Sequence, residues 1–185
     1  MKLRTLTTML VFVTLIAGCS QVRVLDYNGG QNYYDGAFEF ATQDGKINTY
    51  IAGSPFSSPD PKFKKTIISN MYGATFRRNV NFVDTTPNTE RYGFHIVVAF
   101  NAINPLGVDD ICRNATEVKS RPNLKTTSMI GIFCQGGHPL SYASGYVSGL
   151  TGPNDPKFSE LVREVALAMI PRYDDEHSSG GEAFR

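Results

Sequence analysis

The side chains of this 185-residue chain that could take part in catalysis do not form a recognisable catalytic pattern in the sequence. Nucleophilic catalysis needs a serine or cysteine next to a base that a third group orients. The chain has three histidines, His95, His138 and His177, and it contains no Gly-x-Ser-x-Gly sequence. The nearest approach, over residues 142–146, has tyrosines in place of both glycines. We therefore predict that the protein is not an enzyme.

Asp109 and Asp110 are the best pair of adjacent carboxylates, in a segment, 104–111, that we expect to be a loop. Adjacent acids can ligate a hard cation, but Ca²⁺ takes about six to eight oxygen ligands, and the chain has no Asp-x-Asp-x-Asp-Gly run. We therefore predict neither a metal nor a cofactor. His95 falls in an apolar strand pattern and is expected to be an ordinary strand histidine. If the domain binds a small ligand or a partner there, the site would combine His95 with Asp109 or Asp110.

The first 19 residues have the layout of an export signal. Lys2 and Arg4 precede an apolar run over 6–17, and small residues then lead into Cys19. This run is shorter than the roughly 20 apolar residues that a membrane-spanning helix needs. Its last residues, Ile-Ala-Gly-Cys over 16–19, resemble the bacterial lipobox. The resemblance implies cleavage before Cys19, a diacylglyceryl thioether on its sulfur, and acylation, as with palmitate, of the new amino terminus.

The same resemblance predicts where the protein is placed. A serine, Ser20, follows the cysteine instead of an aspartate, which in enterobacterial lipoproteins goes with the outer membrane. We therefore expect a domain that is held by lipid at the outer membrane and faces the periplasm. The alternative is an ordinary signal peptide with a coincidental cysteine.

Removal of residues 1–18 leaves 167 residues, which is the size of one domain. This mature chain has 16 basic and 17 acidic side chains, a net charge of about −1. Such a balance gives no electrostatic reason to expect nucleic acid as a partner. Lys62, Lys64 and Lys65 do stand together in the sequence, and this cluster suits either an anionic envelope partner or a solvated helix face.

Cys112 and Cys134 are the two cysteines that remain once Cys19 is lipidated. In an oxidising compartment such a pair is typical of a disulfide. Free buried thiols are the main alternative. A redox or metal pair is less consistent with the sequence, because the separation is far from Cys-x-x-Cys.

The hydrophobic pattern predicts alternating strands and helices. Residues 38–51 alternate around an Asp-Gly turn and predict a hairpin, and 129–147 predict a second one. Residues 94–100 are typical of a central strand. An Asp-Pro pair at 60–61 predicts the start of one helix, and a second Asp-Pro pair at 155–156 predicts another.

The two halves of the chain also match each other. Tyr-Ile-Ala-Gly at 50–53 and Asp-Pro-Lys-Phe at 60–63 correspond to Tyr-Val-Ser-Gly at 146–149 and Asp-Pro-Lys-Phe at 155–158. This correspondence favours two β-β-α repeats, although Asp-Pro is also simply a good helix start. We predict an α+β fold, a two-layer sandwich of a mainly antiparallel sheet with two helices on one face.

These observations predict a signal peptide over 1–18, a lipidated tether over 19–36 with one short strand in it, a domain over 37–172 and a flexible tail over 173–185. The architecture and the lipobox are similar to those of small accessory lipoproteins of the bacterial envelope. That similarity implies a non-catalytic protein that contacts the membrane through Cys19 and binds an envelope protein, lipid or glycan. The alternative is a periplasmic small-ligand-binding module or minor enzyme.

Overall fold

The computed structural model describes residues 22–27, 36–57, 62–73, 79–85, 93–103 and 107–170. The predicted signal peptide, Cys19 and the predicted tail over 173–185 lie outside the described residues. Within the described ranges, no helix combines the length and the apolar character needed to cross a membrane.

The described residues form a six-stranded mixed sheet with four α-helices and one 3-10 helix. Its strands are β1 (Arg23–Tyr27), β2 (Lys46–Ala52), β3 (Asn81–Asp84), β4 (Phe94–Phe100), β5 (Thr126–Gln135) and β6 (His138–Ser148). The helices are α1 (Ala37–Ala41), α2 (Phe63–Met71), α3 (Val108–Arg113) and α4 (Pro156–Met169), with the 3-10 helix over Ala115–Glu117.

The strands lie in the order β1-β6-β5-β4-β2-β3. Strand β2 runs parallel to both β3 and β4, whereas the other three pairings are antiparallel. The parallel pairing of β2 with β3 requires a crossover connection, and α2 lies in that connection. The predicted α+β class with a mainly antiparallel sheet is confirmed.

The predicted first hairpin is wrong, because its first strand is the short helix α1. Ala37 and Phe38 are buried, and the ring of Phe38 packs edge-on against Phe133 of β5. Alternating phenylalanines over so few residues also fit one helical turn, so packing in the folded chain decided between helix and strand. The first half of the chain is therefore helix–strand–helix, and the predicted β-β-α repeat fails there.

The predicted boundary between tether and domain is also wrong. Residues Arg23–Tyr27 pair antiparallel with β6, and Arg23 stands opposite Tyr146. Val22 and Val24 pack against the main core. The short strand that we expected within the tether is thus an edge strand of the sheet, and the domain begins well before residue 37.

Helices α2 and α4 lie side by side on one face of the sheet, as predicted. Four phenylalanines join the two helices to the sheet where both helices begin, and we call them the phenylalanine cluster: Phe56, Phe63, Phe100 and Phe158. The rings of Phe63 and Phe158 stack with their centroids 5.9 Å apart, and the ring of Phe100 lies 5.7 Å from that of Phe158. The matched Asp-Pro-Lys-Phe sequences therefore bring their phenylalanines into contact.

Helix α4 buries the whole face that its 3.6-residue periodicity predicts. Opposite it on β6 is Gly145, where a Cβ atom would lie 2.8 Å from Val165 and 2.9 Å from Leu161. A side chain at this position would push the helix off the sheet. The buried residues of α4 are Phe158, Leu161, Val162, Val165, Ala166 and Met169.

Asp155 caps the start of α4, as the sequence predicts. Its carboxylate accepts hydrogen bonds from the backbone N–H of Lys157 and from both the backbone N–H and the hydroxyl of Thr151, each at 3.0 Å. Burial alone would raise the pKa of this carboxyl group, but these hydrogen bonds outweigh burial and lower the pKa below its ordinary value. The ionised carboxylate is therefore the form that holds the helix start.

We predict that Phe158→Ala lowers the free energy of unfolding by about 3–5 kcal/mol, because the substitution leaves a cavity in the centre of the phenylalanine cluster. Urea unfolding followed by circular dichroism measures the change. Phe40→Ala is the matched control, since Phe40 is 59% exposed and its loss should cost about 1 kcal/mol or less. Equal losses for the two variants would contradict the central role of the cluster.

Candidate functional site

Helix α3 lies on the sheet face opposite α2 and α4, which we call the outer face. A disulfide joins Cys112 of α3 to Cys134 of β5, with the two Cα atoms 5.9 Å apart. Ile111 of α3 packs there against Val97 and Ile132 in a second, smaller core. The predicted pairing of the two cysteines is confirmed.

The expectation of a loop over 104–111 is wrong in its second part. Residues 104–106 lie outside the described chain, but Val108–Arg113 are helical. Asp109 and Asp110 occupy the first turn, where negative charge is favoured by the positive end of the helix dipole. The packing of Ile111 against the sheet then supplies the stability that so short a helix cannot supply by itself.

His95 lies on β4 with its ring on the outer face, between Asn48 of β2 and Cys134 of β5. It is half-buried, and its Nδ1 atom is 3.2 Å from the carbonyl oxygen of Gly93. The sequence predicts a strand histidine at this position, and the structure places it beside the disulfide.

Asp109 and Asp110 each lie near a side chain other than His95. A carboxylate oxygen of Asp109 is 4.0 Å from Nδ1 of His138, the first residue of β6, and Asp110 is 3.8 Å from the guanidinium of Arg113. All four side chains are at least half exposed. Surface ion pairs of this kind contribute about 1 kcal/mol or less to the free energy of unfolding.

The structure therefore does not bring His95 together with Asp109. Asp109 pairs with His138 of β6, whereas His95 lies on β4, on the other side of β5, and its ring contacts the carbonyl oxygen of Gly93. Among the described residues, no group of three or more histidine, cysteine or acidic side chains could hold a metal ion. The three residues of the predicted ligand site have separate partners.

The part of the outer face that α3 does not cover exposes apolar side chains. Leu25 of β1 is 66% exposed and Tyr146 of β6 is 39% exposed. The strand register places them diagonally across the β1–β6 pair. Leu25 lies opposite Ser144 of β6, and half-buried Ile130 of β5 lies on the other side of Ser144 in the same row. We call Leu25, Tyr146 and Ile130 the outer-face patch.

The patch could not be predicted from the sequence, because it forms only where β1 pairs with β6. The alternation of Val22 and Val24 indicated one apolar side of that strand, and both valines do pack against the core. Leu25 is out of phase with them, and that mismatch was the one local signal of an exposed apolar position.

Comparison with known proteins gives no family for this chain. No protein-family model matches it, and no curated protein matches it. Among solved structures, the PelC dodecamer from Paraburkholderia phytofirmans is similar over 83% of this chain and 100% of its own, with 11% sequence identity and a TM-score of 0.46. A variant of the same protein, in another crystal form, gives 12% identity, 82% and 100% coverage and the same TM-score. At this TM-score, the likeness carries no argument about this chain.

We predict that replacing both Cys112 and Cys134 by alanine lowers the free energy of unfolding by about 3 kcal/mol. The bond closes a loop with a sequence separation of 22 residues, and its loss restores the freedom of that loop in the unfolded chain. Urea unfolding with and without a reductant measures the effect. Reductant should destabilise the unsubstituted protein by a similar amount and leave the double variant unchanged; a reductant effect on the double variant would contradict this assignment.

Proposed function

We propose that the protein is a bacterial envelope lipoprotein, anchored through acyl chains on Cys19 in the outer membrane, with its domain in the periplasm. We further propose that the domain is a non-catalytic accessory component that binds an envelope protein. The observation that carries the second part is the outer-face patch, in which Leu25 and Tyr146 are exposed and Ile130 is half-buried.

The start of the fold suits an anchor at Cys19. Strand β1 begins at Arg23, only four residues after the cysteine. Burial of acyl chains contributes about 0.8 kcal/mol per CH₂ group, and two or more chains are enough for stable attachment. The domain then needs no membrane-spanning segment of its own.

The outer-face patch suits a protein partner better than a charged or sugar ligand. Its three residues are uncharged and carry large apolar or aromatic side chains. Ser144 lies between Leu25 and Ile130, and Arg23 and Ser128 flank Tyr146 in the neighbouring row of the sheet. Apolar and aromatic side chains mixed with polar ones are the usual composition of protein interfaces, and tyrosine is enriched in them.

The second function predicted from the sequence, a small-ligand-binding module or minor enzyme, has less support. It would place His95 and Asp109 or Asp110 around one ligand, whereas strand β5 lies between His95 and the partner of Asp109. We therefore retain the accessory function.

Labelling with radioactive palmitate tests the anchor. Cys19→Ser should abolish incorporation of the label and move the domain out of the outer-membrane fraction, because the variant lacks the acylated sulfur. The double variant Cys112→Ala with Cys134→Ala is the control and should still be labelled. Unchanged labelling or unchanged attachment of Cys19→Ser would refute the lipoprotein proposal.

Photo-crosslinking tests the patch. With p-benzoylphenylalanine at position 146, we expect an adduct to one envelope protein, and Leu25→Asp should abolish that adduct by placing a charge in the apolar contact. The probe at position 40, another exposed aromatic site, should not give the same adduct. Adducts to lipid or glycan alone, or a protein adduct that Leu25→Asp leaves unchanged, would contradict a protein interface at this patch.

A further inference from the structure

The short chain between Cys19 and the sheet restricts which part of the domain can approach a membrane. A residue spans at most about 3.6 Å, so the backbone of Arg23 lies within about 14 Å of a lipidated Cys19. This restriction rests on the proposed lipidation. The end of the sheet where β1 begins must therefore lie close to the headgroups.

The strand register shows what else lies at that end. It holds the end of β6, the start of β5 and the ends of β4 and β2, because Arg23 pairs with Tyr146 and Thr126 pairs with Ser148. Helices α2 and α4 begin there as well, since each follows a strand that ends there. The loop over 119–125 crosses this end between β4 and β6.

Two backbone hydrogen bonds fix the course of this loop. The N–H of Ile103 donates to the carbonyl of Lys119 at 2.9 Å, and the N–H of Gly149 donates to the carbonyl of Lys125 at 3.1 Å. The loop is thus held at both of its ends.

Asn101, at the end of β4, fixes the middle of the loop. It is buried, and its side-chain amide donates to the carbonyl of Arg121 at 3.0 Å while its side-chain oxygen accepts from the N–H of Ser128 at 2.8 Å. The N–H of Arg121 donates back to the carbonyl of Asn101 at 3.0 Å. Because buried polar groups of this kind are costly to leave unpaired, the network holds the loop in one arrangement.

The loop and the start of β1 expose a set of positive charges, which we call the basic end: Arg23, Lys119, Arg121 and Lys125. Leu124 and Ile103 are exposed apolar residues of the same end. Two acidic residues near the basic end have partners of their own. Asp84 lies 3.0 Å from the Nζ atom of Lys64, and Asp155 accepts hydrogen bonds at the start of α4. A third acidic residue, Glu117, precedes the loop.

The opposite end of the sheet has the reverse balance. It carries four acidic residues, at the start of α3 near the β5–β6 turn and around α1: Glu39, Asp44, Asp109 and Asp110. Two of them have basic partners there, Lys46 for Asp44 and Arg113 for Asp110, so acidic side chains remain in excess. A chain of nearly zero net charge thus separates its charges along the strand direction, and the positive end is the one next to Cys19.

We propose that the basic end is the surface by which the domain rests on the anionic phospholipid headgroups of the membrane that holds its anchor. Such headgroups attract basic side chains within about one Debye length, roughly 10 Å at 0.1 M salt. The short connection to Cys19 keeps the basic end within that range. The outer-face patch and the acidic end are then left accessible to other partners.

Flotation with vesicles tests the charge interaction without the lipid. A chain of residues 20–185 includes every described residue, and its binding is measured at about 0.1 M salt to vesicles of phosphatidylglycerol with phosphatidylcholine, or of phosphatidylcholine alone. We expect binding to the anionic vesicles alone, reduced more than about tenfold by Lys119→Glu with Lys125→Glu. The control, Lys46→Glu with Arg163→Glu, makes the same change in net charge elsewhere and should alter binding by about twofold or less. Equal binding to both kinds of vesicle, or equal losses in the two double variants, would overturn the proposal.

A fluorescence experiment on the lipidated full chain tests the orientation. A fluorophore is attached at Leu124→Cys in the basic end or at Gln43→Cys at the opposite end, and nitroxide-labelled headgroups in the anionic vesicles quench it. We expect quenching at position 124 alone, reduced when Lys119→Glu and Lys125→Glu are added, because only the anchor then holds this end near the headgroups. Equal or stronger quenching at position 43 would overturn the orientation. A chain that fails to float with these vesicles would refute the anchor, and the first experiment would still decide the charge interaction.

Discussion

The stacking of Phe63 on Phe158 is the contact on which the rest of the structure depends. It joins the first turns of α2 and α4, and Phe100 joins both to the end of β4. Because close packing tolerates little change in volume, this contact fixes where both helices start relative to the sheet. The close approach of α4 to Gly145 follows from the same placement.

With α2 and α4 on one face, the opposite face is left to much smaller elements. Helix α3 has only six residues, and a disulfide to β5 compensates for the small apolar area that it buries. The outer-face patch remains uncovered as a result. In the proposed lipoprotein, attachment to the membrane does not depend on this patch, so the apolar surface is left for a partner.

The longer elements could be predicted from local sequence because several signals agree there. Helix α4 has an Asp-Pro start and a complete apolar stripe, and the β5–β6 hairpin has two long alternating strands. The short elements were predicted less well, since four to six residues carry little local preference. The alternation of Val22 and Val24 indicated strand β1, but its pairing with β6 decided its place in the sheet. Packing of Phe38 against Phe133, far away in the sequence, decided that α1 is a helix.

The sequence by itself determined the α+β class, the disulfide pair, the inner face of α4 and the resemblance of residues 16–19 to a lipobox. Only the tertiary structure decided that Asp109 pairs with His138 and His95 does not, and that the loop over 119–125 lies at the same end of the sheet as Arg23. The physical reason is the range of the forces involved. Periodicity and capping act within one element, whereas the grouping of charges and of exposed apolar residues depends on strand order, which long-range packing sets.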